Sequence, residues 1–309
     1  MIKAYKITYL SPASILRSFT LFGAICWSYR LLYGKEALED FLANFVKSPK
    51  FLISSAFPYI NDQFIFPKPI LPIRGESQDF KLKFQRKNFK KASYVTLDIL
   101  KKVIEGKIRY EEDYANYKVK SGIIKEENTD IKLGKTIHTQ VRNLINRVSH
   151  HSENLFFIES TIKTYEEFFL VYLLDDNFDK ELEGLLKLIE EIGVGANKNI
   201  GWGKIKIEEI KYSSLEGIIN LKAEQFVSLS PVIPTNNIDQ DKSYYDIETF
   251  KNYTENTFEK EFLKKKVLYL KEGSFIVKKD QENFVGTIKE VGNNIFQYGL
   301  EFPLGVAYA

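Results

Sequence analysis

The sequence predicts an α+β protein whose first 212 residues form a ferredoxin-like sheet carrying a long insertion. Three observations lead there. A strand pattern followed by helical periodicity opens the chain. A second helix-then-strand unit stands before residue 210. Between and after them, apolar residues recur with the period of strands.

The elements follow in order. Residues 3–9 alternate, with Tyr5, Ile7 and Tyr9 on one face, as a strand does. Phe22, Ile25, Cys26, Tyr29, Leu32 and Tyr33 take helical spacing, and Leu38, Phe41, Leu42 and Phe45 continue it beyond Gly34. Residues 50–56 and 63–66 are strand-like, joined through an Asn61-Asp62 turn. Pro67, Pro69 and Pro72 break regular structure, and residues 67 to about 152 read as an insertion within the first domain. It holds a basic stretch over 81–91, a short helix over 97–104, and a polar, tyrosine-rich, mobile segment over 110–129. Strands return at 155–162 and 167–174. Phe178, Leu182, Leu185, Leu186, Ile189 and Ile192 then mark an amphipathic helix of about four turns. A glycine-rich loop and a strand over 204–210 close the first domain, 1–212. The remainder, 213–309, is a smaller, mostly β domain with strand-like runs at 218–232, 266–277, 284–290 and 295–302.

The loop is the most informative stretch. Gly193, Gly195, Gly201 and Gly203 fall within eleven residues, with Lys198, Asn199 and Lys204 among and beside them. Glycines permit positive φ and close approach to the main chain, and exposed N–H groups beside lysines suit an anion such as phosphate. A mononucleotide P-loop is excluded, because Ile205 rather than Ser or Thr follows Lys204. A dinucleotide fingerprint is excluded as well: position 198 is Lys, and helix precedes strand instead of following it.

Composition narrows the classes further. The chain has 309 residues, 44% hydrophobic and 28% charged, enough for two folded domains. A net charge of only +3 excludes a general nucleic-acid coat, so any RNA surface is local. A single cysteine, Cys26, excludes a disulfide framework and a cysteine-rich zinc site. The apolar run from Phe19 to Tyr29 is bracketed by Arg17 and Arg30 and is too short to span a bilayer. A strand pattern precedes it and no small-residue cleavage site follows. The expectation is therefore a cytoplasmic protein with no membrane partner.

No catalytic set emerges. His150-His151 lacks a third ligand at metal spacing, no nucleophile elbow is present, and no pair of carboxylates is nominated, so neither a metal nor a cofactor is expected. A polar cluster stands out instead: His138, Arg142, Asn143, Asn146 and Arg147. On a helix, the last four lie at i, i+1, i+4 and i+5 and share a face, where two guanidinium forks meet phosphates and two amides meet base edges or ribose hydroxyls. A solvated helix face reads equally well from spacing alone. The basic stretch over 81–91 adds Lys83, Arg86 and Lys87, with Phe84 and Phe89 interleaved for base stacking or partner docking. Three basic and polar sites without a catalytic set favour RNA binding over catalysis.

Several motifs together carry a family resemblance. They are Ser18-Phe-Thr20-Leu-Phe-Gly23-Ala-Ile-Cys-Trp27, Arg142-Asn143-Leu-Ile-Asn146-Arg147 followed by Leu155-Phe156-Phe157, and the run from Ile192 to Lys204. Late segments around Leu229-Ser-Pro231, Leu270 to Ser274 and Tyr298 to Pro303 fit too. The chain resembles the RAMP superfamily of CRISPR proteins, and within it the fourth subunit of the type III-A Csm effector complex. The resemblance implies two ferredoxin-like (RRM-like) RAMP domains and a non-catalytic subunit that holds the repeat-derived 5′ handle of the CRISPR RNA (crRNA). It implies contact with the large polymerase-like subunit and the repeated backbone RAMP subunit, and a thumb-like element that interrupts guide–target pairing and so meets target RNA near the handle. By position, residues 81–91 are the candidate for part of that element. Three other readings stay open: a metal-independent CRISPR-RNA-processing endoribonuclease with His138 as general base, the equivalent subunit of a Cmr complex, and a scaffold whose loop packs on protein alone.

Overall fold

Apolar runs buried on both sides organise the molecule around one large sheet. The computed structural model describes residues 1–309 apart from 75–87, 128–130, 132, 196, 252–262, 281–283, 293 and 308–309. The first part holds strands β1 (Ile2–Tyr9), β2 (Phe51–Ile53), β3 (Phe57–Ile60), β4 (Gln63–Pro67), β5 (Tyr94–Thr96), β6 (Lys118–Lys120), β7 (Ile123–Lys125), β8 (Lys135–Ile145), β9 (Ser152–Lys163), β10 (Glu166–Leu173) and β11 (Ile205–Ile210). Its helices are α1 (Ser18–Tyr33), α2 (Lys35–Lys47), α3 (Leu97–Ile104) and α4 (Asp179–Ile192).

The main sheet runs β11-β1-β10-β3-β4-β5-β7-β6, with β2 also paired to β10. Its pairings are antiparallel except β5 with β7. β10 lies at its heart, and Phe168, Phe169, Leu170 and Val171 are fully buried. Both faces of this strand are covered, which is why its sequence reads as a continuous apolar run. α1 and α4 pack together and cover part of the sheet. Phe22, Phe45, Phe51, Phe41 and Phe178 form a chain of rings with neighbouring centroids 5.0–6.1 Å apart, tying α1 and α2 to β2 and to the start of α4. α1 stops at Gly34 (φ 91°) and α4 at Gly193 (φ 78°), positions where a residue with a side chain would be strained.

The region expected to be an insertion adds strands to the main sheet. β5, β7 and β6 extend the main sheet, and α3 packs against β4, β5 and β7. The tyrosine-rich segment over 110–129, expected to be mobile, holds a 3₁₀ turn at Glu111–Asn116 and strands β6 and β7, with Tyr114 fully buried. Polar composition concealed a hairpin whose buried side chains, Ile123 and Ile124, are few but well placed.

Beyond β11, three strands, Gln225–Ser228, Phe275–Val277 and Pro303–Gly305, form a small antiparallel sheet. Two-stranded ribbons pair Ile247–Phe250 with Val267–Leu270 and Lys289–Gly292 with Ile295–Gln297. Ile247–Phe250 lies between the strand-like runs expected at 218–232 and 266–277. The two parts share one core. Phe19 of α1 meets Phe250 and Tyr269 at 4.5 and 5.3 Å, and Phe22 meets Tyr298 at 5.0 Å. Arg17 forms ion pairs with Glu272 and Glu248 across the same seam. The N–H of Ile53 donates to the Tyr298 hydroxyl at 3.0 Å in a fully buried setting. Tyr298→Phe is therefore expected to cost about 1–3 kcal/mol, the penalty of an orphaned buried donor, read as a lower urea midpoint with an unchanged slope.

Candidate nucleic-acid interface

The glycine loop is held in place by the chain that follows β1. Val194 donates to the Gly203 carbonyl at 2.9 Å, closing the loop on itself, and Gly203 donates to the Pro12 carbonyl at 2.8 Å. Lys204 donates its N–H to Ser11 Oγ at 2.9 Å, and its carbonyl accepts from Leu10 at 2.9 Å. Between the two ends, a 3₁₀ turn at Lys198–Ile200 is flanked by left-handed residues, Asn197 (φ 64°) and Gly201 (φ 88°). The amides of Ile200, Gly201 and Trp202 bond to carbonyls within this turn.

The amides of Val194, Ile200, Gly201, Trp202, Gly203 and Lys204 thus all have protein acceptors, so the expected row of exposed N–H groups is largely consumed in building the loop. Electrostatics points the same way. The loop follows the C-terminus of α4, the negative end of the helix dipole. Lys204 Nζ answers that end by donating to the Glu190 carbonyl at 2.7 Å, with Glu191 3.6 Å away. Lys198, in the turn, is half-buried. Asn199 lies in the same turn.

The polar cluster expected on a helix stands on a β-hairpin. β8 and β9 pair over their whole lengths, Lys135 opposite Lys163 and Ile145 opposite Ser152, as a two-stranded sheet of their own. Eleven residues in β8 reach roughly 37 Å at strand rise. Spacing at i, i+1, i+4, i+5 coincided with a strand that alternates β-branched residues, Ile137, Thr139 and Val141. The consequence is a different grouping. Arg142 lies opposite Phe156, Val141 opposite Phe157, and Asn143 opposite Leu155. Directly opposed residues share a face. Arg142 Nη2 donates to Gln140 Oε1 at 3.2 Å, and Asn143 Nδ2 donates to Ser152 Oγ at 3.2 Å. Asn146 and Arg147 lie in the turn, where Asn146 Oδ1 accepts from Val148 and Ser149 at 2.9 and 3.2 Å. His138 pairs in register with Ser160. Apolar side chains are widely exposed along the hairpin: Val148 at 93%, Leu155 at 71% and Phe157 at 69%.

The third expected site, Lys83, Arg86 and Lys87, lies outside the described residues, as does Phe84. Phe89 is described and buried, so its ring belongs to the core instead of stacking on a base.

The loop and the hairpin converge on one end of the sheet. β11 enters from the loop with Ile205 opposite Tyr9, the last residue of β1. The hairpin leads into β10, whose Glu167 lies opposite Ile7, and Lys163 at the hairpin root donates to Tyr9 Oη at 3.0 Å. Ser11, Pro12 and Ser14, which seat the loop, were not singled out from the sequence. The short Ser-Pro-Ala-Ser run after a strand was the available signal. Among the described residues, no group of three His, Cys, Asp or Glu could hold a metal ion, and no helix is long and apolar enough to cross a membrane.

Residues 14–206 match the RAMP superfamily, well over half of the chain. The chain belongs to the RAMP superfamily. A curated relative, the CRISPR system Cms protein Csm4 of Methanocaldococcus jannaschii, is 27% identical, with 90% of this chain and 82% of the relative covered. A chain in the crystal structure of a Csm3–Csm4 subcomplex of the type III-A CRISPR-Cas interference complex superposes with a TM-score of 0.68 at 21% identity, covering 99% of this chain and 100% of that one. A chain of a Csm1–Csm4 cassette bound to pppApA gives 0.61 at 21%, covering 100% and 98%. In this RAMP protein, the matched region begins after β1, takes in the glycine loop and the hairpin, and ends in β11.

Proposed function

We propose that this RAMP protein is a non-catalytic subunit of a type III-A Csm effector complex that holds the 5′ handle of crRNA. One observation carries the reading: the glycine loop and the root of a long polar-and-aromatic hairpin meet at the end of β1. Likeness to Csm4 supports it, as do the Csm3–Csm4 and Csm1–Csm4 assemblies in which similar chains are found. The backbone RAMP subunit and the large polymerase-like subunit are accordingly the proposed protein partners. Strands β11, β1, β10 and β2–β3 with α1 and α4 are the proposed first ferredoxin-like unit, and residues 213–309 the second domain.

In this reading Lys198, at the 3₁₀ turn of the loop, carries its contact to phosphate. Arg142 and Arg147 clamp adjacent phosphates, and Asn143 and Asn146 meet sugar or base edges. The exposed Phe157 and Val148 support the hairpin as a thumb-like element near target RNA, beside residues 81–91, most of which lie outside the described residues.

The experiment is a salt titration of binding between the purified full chain and a synthetic RNA with the repeat-derived 5′ handle. Each phosphate contact adds about 0.7 to the slope of log affinity against log salt for a single strand. Replacing Lys198, Arg142 and Arg147 with Ala together is expected to lower the slope by about 2. An unchanged slope removes these side chains from the interface. Cleavage of precursor RNA that His138→Ala abolishes would replace a binding subunit with a ribonuclease.

A further inference from the structure

The hairpin root contains a buried cluster that RNA contact does not require. Lys163, the last residue of β9, donates to Glu167 Oε1 at 2.7 Å and to Tyr9 Oη at 3.0 Å. The Tyr9 hydroxyl donates to the other oxygen of Glu167. The side chains of Lys163 and Glu167 are only 8% and 6% exposed. Lys163 Nζ also sits 4.4 Å from the centre of the Tyr9 ring. Burial, and after it the charge of Glu167, pushes the phenols of Tyr9 and Tyr165 well up and that of Tyr94 up to about 12, so these hydroxyls stay protonated. The next residue, Thr164, donates across to the carbonyl of Gly134, just before β8, through both its N–H, at 3.2 Å, and its hydroxyl, at 3.0 Å, closing the hairpin root.

A desolvated, fully paired ion cluster is directional. Its members lose heavily by turning away, because each would be left buried without its partner. The cluster also sits where it matters. Tyr9 ends β1, and the residues after it, Leu10 to Ser14, seat the glycine loop. β8 and β9 form a sheet separate from the main one, so the direction of the hairpin is set at its root.

We infer that Tyr9, Lys163 and Glu167 form a joint that fixes the direction in which the hairpin leaves the sheet relative to the glycine loop. They are positioning residues, and their value to RNA rests on the function proposed above. A hairpin free to point elsewhere would be competent only part of the time, and affinity would fall by that fraction.

The test places spin labels at Val148→Cys, in the hairpin turn, and at Lys187→Cys, on the exposed side of α4, in the full chain without RNA. Cys26 is half-buried, and desolvation pushes its thiol up to about 12, so it labels slowly. The unmodified joint is expected to give one narrow distance distribution. Lys163→Met combined with Glu167→Gln is expected to widen it several-fold, and Tyr9→Phe, which keeps the ring and removes one hydroxyl, to widen it by less. Tyr9→Phe decides the matter if the double variant fails to fold. A distribution that stays narrow in the folded variants overturns the joint. In the second arm, handle-RNA affinity is expected to fall about tenfold at an unchanged salt slope, because no phosphate-contacting charge is removed. Absence of RNA binding by the unmodified chain would sink the proposed function and leave the distance result to judge the joint alone.

Discussion

Lys278→Met is expected to lower the free energy of unfolding by about 3–5 kcal/mol, and Lys278→Met with Glu301→Leu to return it to within about 1 kcal/mol of wild type or above it. The two side chains are 1% and 0% exposed, and Lys278 Nζ donates to Glu301 Oε1 at 2.6 Å. Nζ also lies 3.4 Å from the Leu221 carbonyl and 5.3 Å from the centre of the Phe226 ring. The second carboxyl oxygen of Glu301 has no hydrogen-bond partner among the described residues. The pair is therefore incompletely compensated. Losing one member strands a buried charge, whereas losing both leaves an apolar site that packs. Burial pushes Glu301 up to about 7, with the Lys278 charge opposing it. The folded state thus holds this proton more tightly than the unfolded chain, whose carboxyl titrates near 4.3. The stability it contributes is full below about pH 4.3 and lost as pH rises through 7, at no more than about 1.4 kcal/mol per pH unit. Urea denaturation at pH 5 and pH 8 reads both effects, and the double variant should lack this component of the pH slope.

Much of the structure over residues 1–212 was legible because its elements carry strong periodicity. Phe22, Ile25 and Tyr29 in α1 and Leu182, Leu185, Leu186 and Ile189 in α4 are spaced as a helix packed on one side must be, and the apolar run of β10 is that of a strand covered on both faces. The glycine loop was legible as a place of close approach to the main chain, read there as an approach by an anion. Its amide partners were not, since Ser11 and Pro12 are 193 and 191 positions from the residues they hold, Lys204 and Gly203. The β9 arm of the hairpin was expected as the strand over 155–162, but its β8 arm escaped for a different reason. Neither Arg142 nor Arg147 faces a core, so burial imposed no clean alternation, and the polar residues of β8 coincided with helical spacing. Its apolar residues are exposed, so they leave no pattern of a packed face to read.

Gly203→Ala is expected to disable the loop where Gly201→Ala only strains it. Both glycines have positive φ, 75° and 88°, so either substitution costs about 1–2 kcal/mol for placing an L-residue in the left-handed region. Their surroundings differ. A Cβ at Gly201 meets nothing within 4 Å, whereas one at Gly203 overlaps the carbonyl oxygen of Val194. That oxygen is main chain, so relief requires the strands of the loop to part. Parting breaks the Val194-to-Gly203 bond of 2.9 Å and shifts the Gly203-to-Pro12 bond of 2.8 Å that pins the loop to the end of β1. The expected loss of stability exceeds about 2 kcal/mol for Gly203→Ala and stays near 1 kcal/mol for Gly201→Ala, compared by urea denaturation. Handle-RNA affinity should separate them further. Lys198 keeps its place in Gly201→Ala and loses its support in Gly203→Ala. Equal affinities in two folded variants would mean that the seat on Pro12 does not position Lys198 for RNA.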